Sequence, residues 1–174
     1  QTESEARVYF VSEGAGYHNT LGFNLTGSGI SSGDPQLIFP DSTDPDWVSP
    51  GDFVDLGTLE AGTSLDFFLI ANGANGGSNV FTNDSTANPD GIQHMVSFAL
   101  EGSPYLLIGF EDLLNGGDRD FNDLLFAVEI GTSNVEALIE SSPLSFSTPE
   151  PSTALVLGTF CILILTVRRR SGVT

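Results

Sequence analysis

At 174 residues the chain has room for one ordinary domain and a short appendage. Its 40% hydrophobic content supplies a core and excludes wholesale disorder. Five basic residues against 23 acidic ones give a formal net charge of -18, a field that repels phosphate backbones and excludes nucleic acid as a partner.

The basic residues are unevenly placed. Arg168, Arg169 and Arg170 form a cluster near the C-terminus, leaving only Arg7 and Arg119 elsewhere, and there is no lysine. Setting Glu150 aside, residues 1–148 hold 22 acids against two bases. Such a surface attracts cations, although solubility alone accounts for most of the acids. The chain starts at Gln1 and its single methionine is Met95, as expected of a fragment or of a processed chain whose export signal has been removed.

Twenty glycines and nine prolines favour a loop-rich β architecture. In chain order, short apolar runs at Arg7–Ser12, Gln36–Phe39, Phe53–Leu56, Ser64–Ala71, His94–Leu100, Tyr105–Phe110 and Leu124–Ile130 predict strands. Turn-forming pairs separate them, among them Asp34-Pro35, Asp44-Pro45, Asn72-Gly73, Gly76-Gly77 and Asn115-Gly116. This spacing predicts an all-β antiparallel sandwich, jelly-roll-like, over residues 1–131. Leu65–Ile70 is nearly continuous in apolar side chains, as expected of a central strand covered on both faces. No part of this domain reads as an extended helix. Residues 132–148, rich in Ser and containing Pro143, read as a flexible linker.

Residues 153–167, TALVLGTFCILILTV, carry no charge and precede the three arginines. A helix of this length spans roughly 22 Å, against a hydrocarbon core of ~30 Å. The arginine block favours a short transmembrane helix with its C-terminal end in the cytoplasm, which places residues 1–148 outside the inner membrane. Cys161, the only cysteine, lies within this run, so no intrachain disulfide forms.

The segment GFEDLLNGGDRDFNDLLFAVE, residues 109–129, is the most informative for chemistry. Glu111 and Asp112 end one predicted strand. After the turn Asn115-Gly116-Gly117 come Asp118, Asp120 and Asn122 at alternate positions, then Asp123 at the start of the next strand. Five carboxylates in so short a loop repel one another unless a cation joins them. Hard oxygen donors with no His or Cys among them point to Ca2+, which takes six to eight such ligands. Glu111, Asp112, Asp118, Asp120, Asn122 and Asp123 are therefore the candidate metal ligands. The spacing is not that of an EF-hand, and a solvated acidic turn is the alternative.

Other chemistry is weakly signalled. His18 and His94 belong to no metal-binding spacing, and surface or turn roles are expected of both. There is no G-x-S-x-G elbow. Gly14-Ala15-Gly16 lacks the helix and third glycine of a dinucleotide site. Carboxylates abound, but nothing selects two of them as a glycosidase pair. Of Trp47, Tyr17 and Tyr105, Trp47 is the best candidate for a glycan contact, because it lies in a predicted loop.

Two resemblances add to this reading. Thr148-Pro149-Glu150-Pro151-Ser152-Thr153, followed by the apolar run and by Arg168, Arg169 and Arg170, resembles a PEP-CTERM sorting signal. The resemblance implies an exosortase-type processing enzyme as partner, transient insertion in the inner membrane, cleavage near Pro149-Glu150-Pro151, and delivery to the cell surface or matrix. A plain single-span anchor is the alternative. Gly14-Ala15-Gly16-Tyr17-His18-Asn19-Thr20-Leu21-Gly22-Phe23, with residues 64–71 and GFEDLLNGGDRDFNDLLF, is similar to the bacterial extracellular family known as domain of unknown function 4114. That similarity implies a calcium-loaded extracellular role and supplies no reaction. The expected function is a calcium-stabilised structural or adhesive protein of an exopolysaccharide matrix, with no enzymatic activity. The alternatives are a carbohydrate-binding module for exopolysaccharide and, behind it, a matrix polysaccharide hydrolase.

Overall fold

A computed structural model describes residues 2–27 and 35–141. Nine strands and one helix are found among them. The strands are β1 (Ser4–Ser12), β2 (Thr20–Gly27), β3 (Gln36–Phe39), β4 (Phe53–Leu59), β5 (Thr63–Ile70), β6 (Val80–Thr82), β7 (Met95–Ala99), β8 (Tyr105–Phe110) and β9 (Leu124–Glu129), and the helix is α1 (Thr132–Ser141). They form a five-stranded sheet in the order β4-β1-β9-β8-β7 and a four-stranded sheet in the order β3-β2-β5-β6. All pairings are antiparallel. The fold is thus mostly β, as expected from the alternation of apolar runs and turns.

The core lies between the sheets because alternate side chains of each strand face inward. Val8 and Phe10 of β1, Leu21 and Phe23 of β2, Phe67 and Leu69 of β5, and Leu124, Phe126 and Val128 of β9 meet there. Phe67 packs edge-on to Phe126 across the sheets at 5.1 Å, and Phe10 likewise to Phe39 at 5.8 Å. Each such pair contributes roughly 0.5–1.5 kcal/mol beyond area burial. The opposite face of the five-stranded sheet is also partly covered, by Val11, Leu107, Leu125 and Ala127. β9 therefore has both faces buried, which explains its continuous run of apolar residues.

β5, the strand expected to be central, pairs with β2 on one side and β6 on the other. Its Phe68 is also buried and lies over Gly22 of β2, where an added Cβ would come within 2.3 Å of the phenyl ring. That contact requires glycine at position 22. Gly22 lies on the face opposite Leu21, Phe23 and Leu25, whose alternation is intact; the glycine and polar residues between them leave β2 without the continuous apolar run that marks other strands. β6, with three residues, is too short to carry a pattern.

Residues 132–141 are not the flexible linker expected. They form α1, which follows Gly131 (φ 83°) and touches β7 and β8. Val135 is fully buried and Asn134 nearly so. The Asn134 amide donates to the carbonyls of Thr2 (2.9 Å) and Ile130 (3.0 Å), and its Oδ1 accepts from the Thr2 N–H (2.7 Å). One side chain thus ties the helix to both ends of the strand domain. Val135, Leu138 and Ile139 have the i, i+3, i+4 spacing of an apolar helical face, a signal diluted by the Ser- and Pro-rich residues that follow. The apolar run 153–167 lies outside the described residues, among which no helix is long and apolar enough to cross a membrane.

Replacing the nearly buried Asn134 with alanine removes its hydrogen bonds to Thr2 and Ile130, so Asn134→Ala is expected to lower unfolding stability by about 1–2 kcal/mol. Urea unfolding of the two chains checks this, and a change within about 0.5 kcal/mol, normal for an exposed position, would return the segment to a linker.

Candidate functional site: an acidic loop at one end of the sandwich

Residues 111–123 connect β8 to β9 at one end of the sandwich. The loop folds through a run of left-handed residues: Asn115 (φ 69°), Gly116 (80°), Gly117 (44°), Arg119 (62°) and Phe121 (54°). Positive φ is unfavourable for Arg and Phe, so the surrounding contacts must impose this path. Its result is to bring carboxylate oxygens of Glu111, Asp118 and Asp120 within 4.8 Å of one another.

Glu111 is the centre of this group. It is 1% exposed. Its Oε1 accepts the Phe121 N–H at 2.8 Å, whereas Oε2 is buried with no hydrogen-bond partner. Gly117 lies so close that an added Cβ would stand 2.6 Å from Oε2, so the chain keeps this position open. Burial raises the Glu111 pKa, the Phe121 N–H opposes it, and the charges of Asp118 and Asp120 raise it further. No arginine pairs with this cluster among the described residues, where ion pairs involve Arg7, His18 and His94.

Asn122 is placed beside the cluster rather than across it: its N–H and its side-chain amide both donate to Asp120. Asp112, buried, and Asp123, half-buried, form a second acidic pair. The Asp112 N–H donates to Asp123 Oδ2 at 2.8 Å, and the fully buried Asn19 amide donates to Asp112 Oδ2 at 2.7 Å. Burial, with the neighbouring Asp112 and Glu111 charges, pushes Asp123 up to about 7. Of the six candidate ligands, three therefore converge, one braces Asp120, and two link the loop to the rest of the fold. Asn19 extends that link, since its Oδ1 accepts the Asn72 N–H at 2.9 Å.

A second brace comes from the 83–94 connection. His94, expected at the surface or in a turn, is instead fully buried and stacked on Phe81 at 3.8 Å. Its Nδ1 meets the Glu111 carbonyl at 3.0 Å and its Nε2 meets the Asp90 carboxylate at 3.0 Å. Asp90 in turn accepts the Asn115 N–H at 2.6 Å. Burial works to raise the Asp90 pKa, but hydrogen bonds from the Asn115 N–H, His94 and the Ile92 N–H overcome it and bring it to about 2. Asp90, His94 and Asn19 carry no pattern in the sequence that marks them, because their partners lie far along the chain.

Trp47 is in the connection from β3 to β4 and is 75% exposed. Pro149, Glu150, Pro151 and Arg168–Arg170 lie outside the described residues.

The fold and this loop define a two-sheet antiparallel β domain with a carboxylate cluster at one end. The family described as Domain of unknown function (DUF4114) matches residues 59–131, which run from the end of β4 through the acidic loop to the end of β9. That description assigns no activity. No curated protein and no solved structure matches the chain.

The Asp123 shift has a sign that can be tested. The folded chain keeps this proton to about pH 7, whereas an unfolded chain releases it near pH 4. Between those limits the folded state binds more protons, so stability falls as pH rises through the window. In chelator, the melting midpoint is expected to be lower at pH 8 than at pH 5, and Asp123→Asn to flatten the difference. Asp90 titrates below this range and does not contribute. Calorimetric scans across the pH series check it; an unchanged slope in the variant would assign the dependence to other groups.

Proposed function

We propose that the chain is a calcium-stabilised structural or adhesive protein, exported and carried to the cell surface or extracellular matrix. The observation that carries the calcium reading is the buried, unpartnered Oε2 of Glu111 beside Asp118 and Asp120. A buried carboxylate oxygen with no donor is costly. A hard cation satisfies it and removes the repulsion among the three side chains. Glu111, Asp118 and Asp120 supply carboxylate oxygens, and loop carbonyls and water complete the shell. The cation binds the folded loop only, so it stabilises the fold by mass action, by about 2.7 kcal/mol at a hundred times its Kd. A rigid, protease-resistant end is what an extracellular scaffold or adhesin requires.

Calcium at millimolar concentration is expected to raise the melting midpoint of the chain by several degrees over chelator, with magnesium giving little. Glu111→Gln and Asp118→Asn are expected to remove the calcium increment while leaving the chelator value equal or higher, because each also relieves repulsion. Equal midpoints with and without calcium in the parent chain would reduce the loop to a solvated acidic turn.

The export reading rests on the similarity of Pro149-Glu150-Pro151, the apolar run and Arg168–Arg170 to a PEP-CTERM signal, with an exosortase-type enzyme as the processing partner and the inner membrane as a transient station. Co-expression with such an enzyme is expected to release a product ending near Pro149-Glu150-Pro151. Replacing the three arginines with asparagine is expected to reduce that release severalfold, as read by mass spectrometry of secreted protein. Persistence of the full chain in the membrane would favour a plain anchor. A second reading, a module that binds exopolysaccharide, is favoured by one observation: the indole of Trp47 is left in solvent.

A further inference from the structure

The connection between β3 and β4, residues 40–52, runs from the edge of one sheet to the edge of the other. Beneath it lies a cleft of about 490 Å3, within the range of small-ligand sites, lined by Ile38, Asp41, Trp47, Asp52, Phe53 and Val54 among others. The connection is rigid. Val48 anchors it in the core, and Ser42 donates its N–H and hydroxyl to the Asn19 carbonyl. Asp41 accepts the N–H groups of Thr43 and Asp44, and the Asp44 carbonyl accepts those of Trp47 and Val48.

A loop held this firmly nonetheless leaves its tryptophan 75% exposed. Phe53, 51% exposed, stands at the same cleft, with its ring 5.3 Å from Tyr9 and 5.7 Å from the Arg7 guanidinium. Both aromatics are thus presented to solvent on fixed backbone.

The charged residues that line the cleft are all acidic. Asp41 and Asp52 line the cleft and Asp44 and Asp46 precede Trp47 in the chain, with no arginine or lysine among the lining residues. The nearby arginine is engaged, Arg7 by Asp55 and Glu5, and the His18 ring contacts Asp41 at 2.9 Å. An apolar platform within a ring of carboxylates suits a ligand with a flat C–H face and a positive charge.

We propose that this cleft binds a chain of amino sugars with free, protonated amines, one pyranose face on Trp47 and its ammonium toward Asp52. The choice of a polysaccharide rests on the matrix reading above; the choice of a cationic one rests on the cleft's own charge. Uronic acid polymers are repelled, and neutral glucans keep the stacking without the charge.

Trp47 is the chain's single tryptophan, so its fluorescence reports this cleft alone. The full chain is titrated at pH 6 with a glucosamine hexamer, a glucose hexamer, a galacturonate hexamer and hexalysine. The glucosamine hexamer is expected to give a saturable emission change, at least tenfold tighter than the glucose hexamer and weakened by salt, and the galacturonate hexamer none. By calorimetry, Trp47→Ala is expected to abolish binding, Trp47→Phe to retain it in part, and Asp52→Asn to bring the affinity toward that for glucose. Trp47 is outside the core, so its variants keep the parent melting midpoint. No saturable response to the glucosamine hexamer overturns the proposal, as does undiminished binding by Trp47→Ala. Equal affinity for the glucose hexamer overturns the amino-sugar assignment, and equal affinity for hexalysine overturns the sugar. Binding is read on the purified chain, so a negative result leaves the calcium and export tests unaffected.

Discussion

One buried oxygen sets the terms for an entire end of this molecule. Glu111 Oε2 sits inside the protein without a donor, next to two more carboxylates. A proton or a cation must occupy the position for the group to be tolerable there. Everything nearby holds Glu111 in place rather than letting it turn toward water. Its Oε1 is fixed by Phe121, its N–H donates to the His94 carbonyl, and its own carbonyl meets the His94 ring. Gly117 is pressed close enough to exclude any side chain. This arrangement around an unsatisfied acid is what the calcium proposal rests on.

The same constraint organises the connections between strands. Asn19, in the β1–β2 connection, holds Asp112 and Asn72. Asp90 and His94, in the β6–β7 connection, hold Asn115 and Glu111. Two segments far apart in sequence thus brace the acidic loop, and Asn72 is tied in through Asn19. The other end of the sandwich has a different character. There α1 covers part of an apolar cavity of about 260 Å3, and Asn134 ties the helix to the first residues of the chain. Charge and its relief concentrate at one end, apolar packing at the other. The connection that carries the exposed indole of Trp47 leaves β3 and enters β4 at the same end as the acidic loop, and Ser42 links the two through Asn19.

Much of the sheet was legible because period-two alternation and turn dipeptides report local conformation directly. β1, β3, β8 and β9 fall close to their expected places. β2 was not among the expected strands, although Leu21, Phe23 and Leu25 alternate, because Gly22, Asn24 and Gly27 give the segment a turn-like composition; position 22 is glycine to make room for Phe68 of a neighbouring strand. α1 was hidden by the residues after it. The acidic loop itself was evident from the crowding of carboxylates around Asn115-Gly116-Gly117. The roles within it were not, since six oxygen-bearing residues in a row look alike in a sequence and only their positions divide them.

The sequence alone carries the class of the domain, the sign of its field and the loop in which carboxylates crowd, because all three follow from composition and near-neighbour patterning. It also marked Trp47 as a loop residue. Only the tertiary structure decided that Glu111 is buried with one oxygen unmet, that Asp112 and Asp123 pair away from the cluster, and that His94 is a buried brace. Those outcomes depend on contacts between residues as much as 93 positions apart, such as Asn19 with Asp112, and burial at that range is a property of the packed fold that no local pattern encodes.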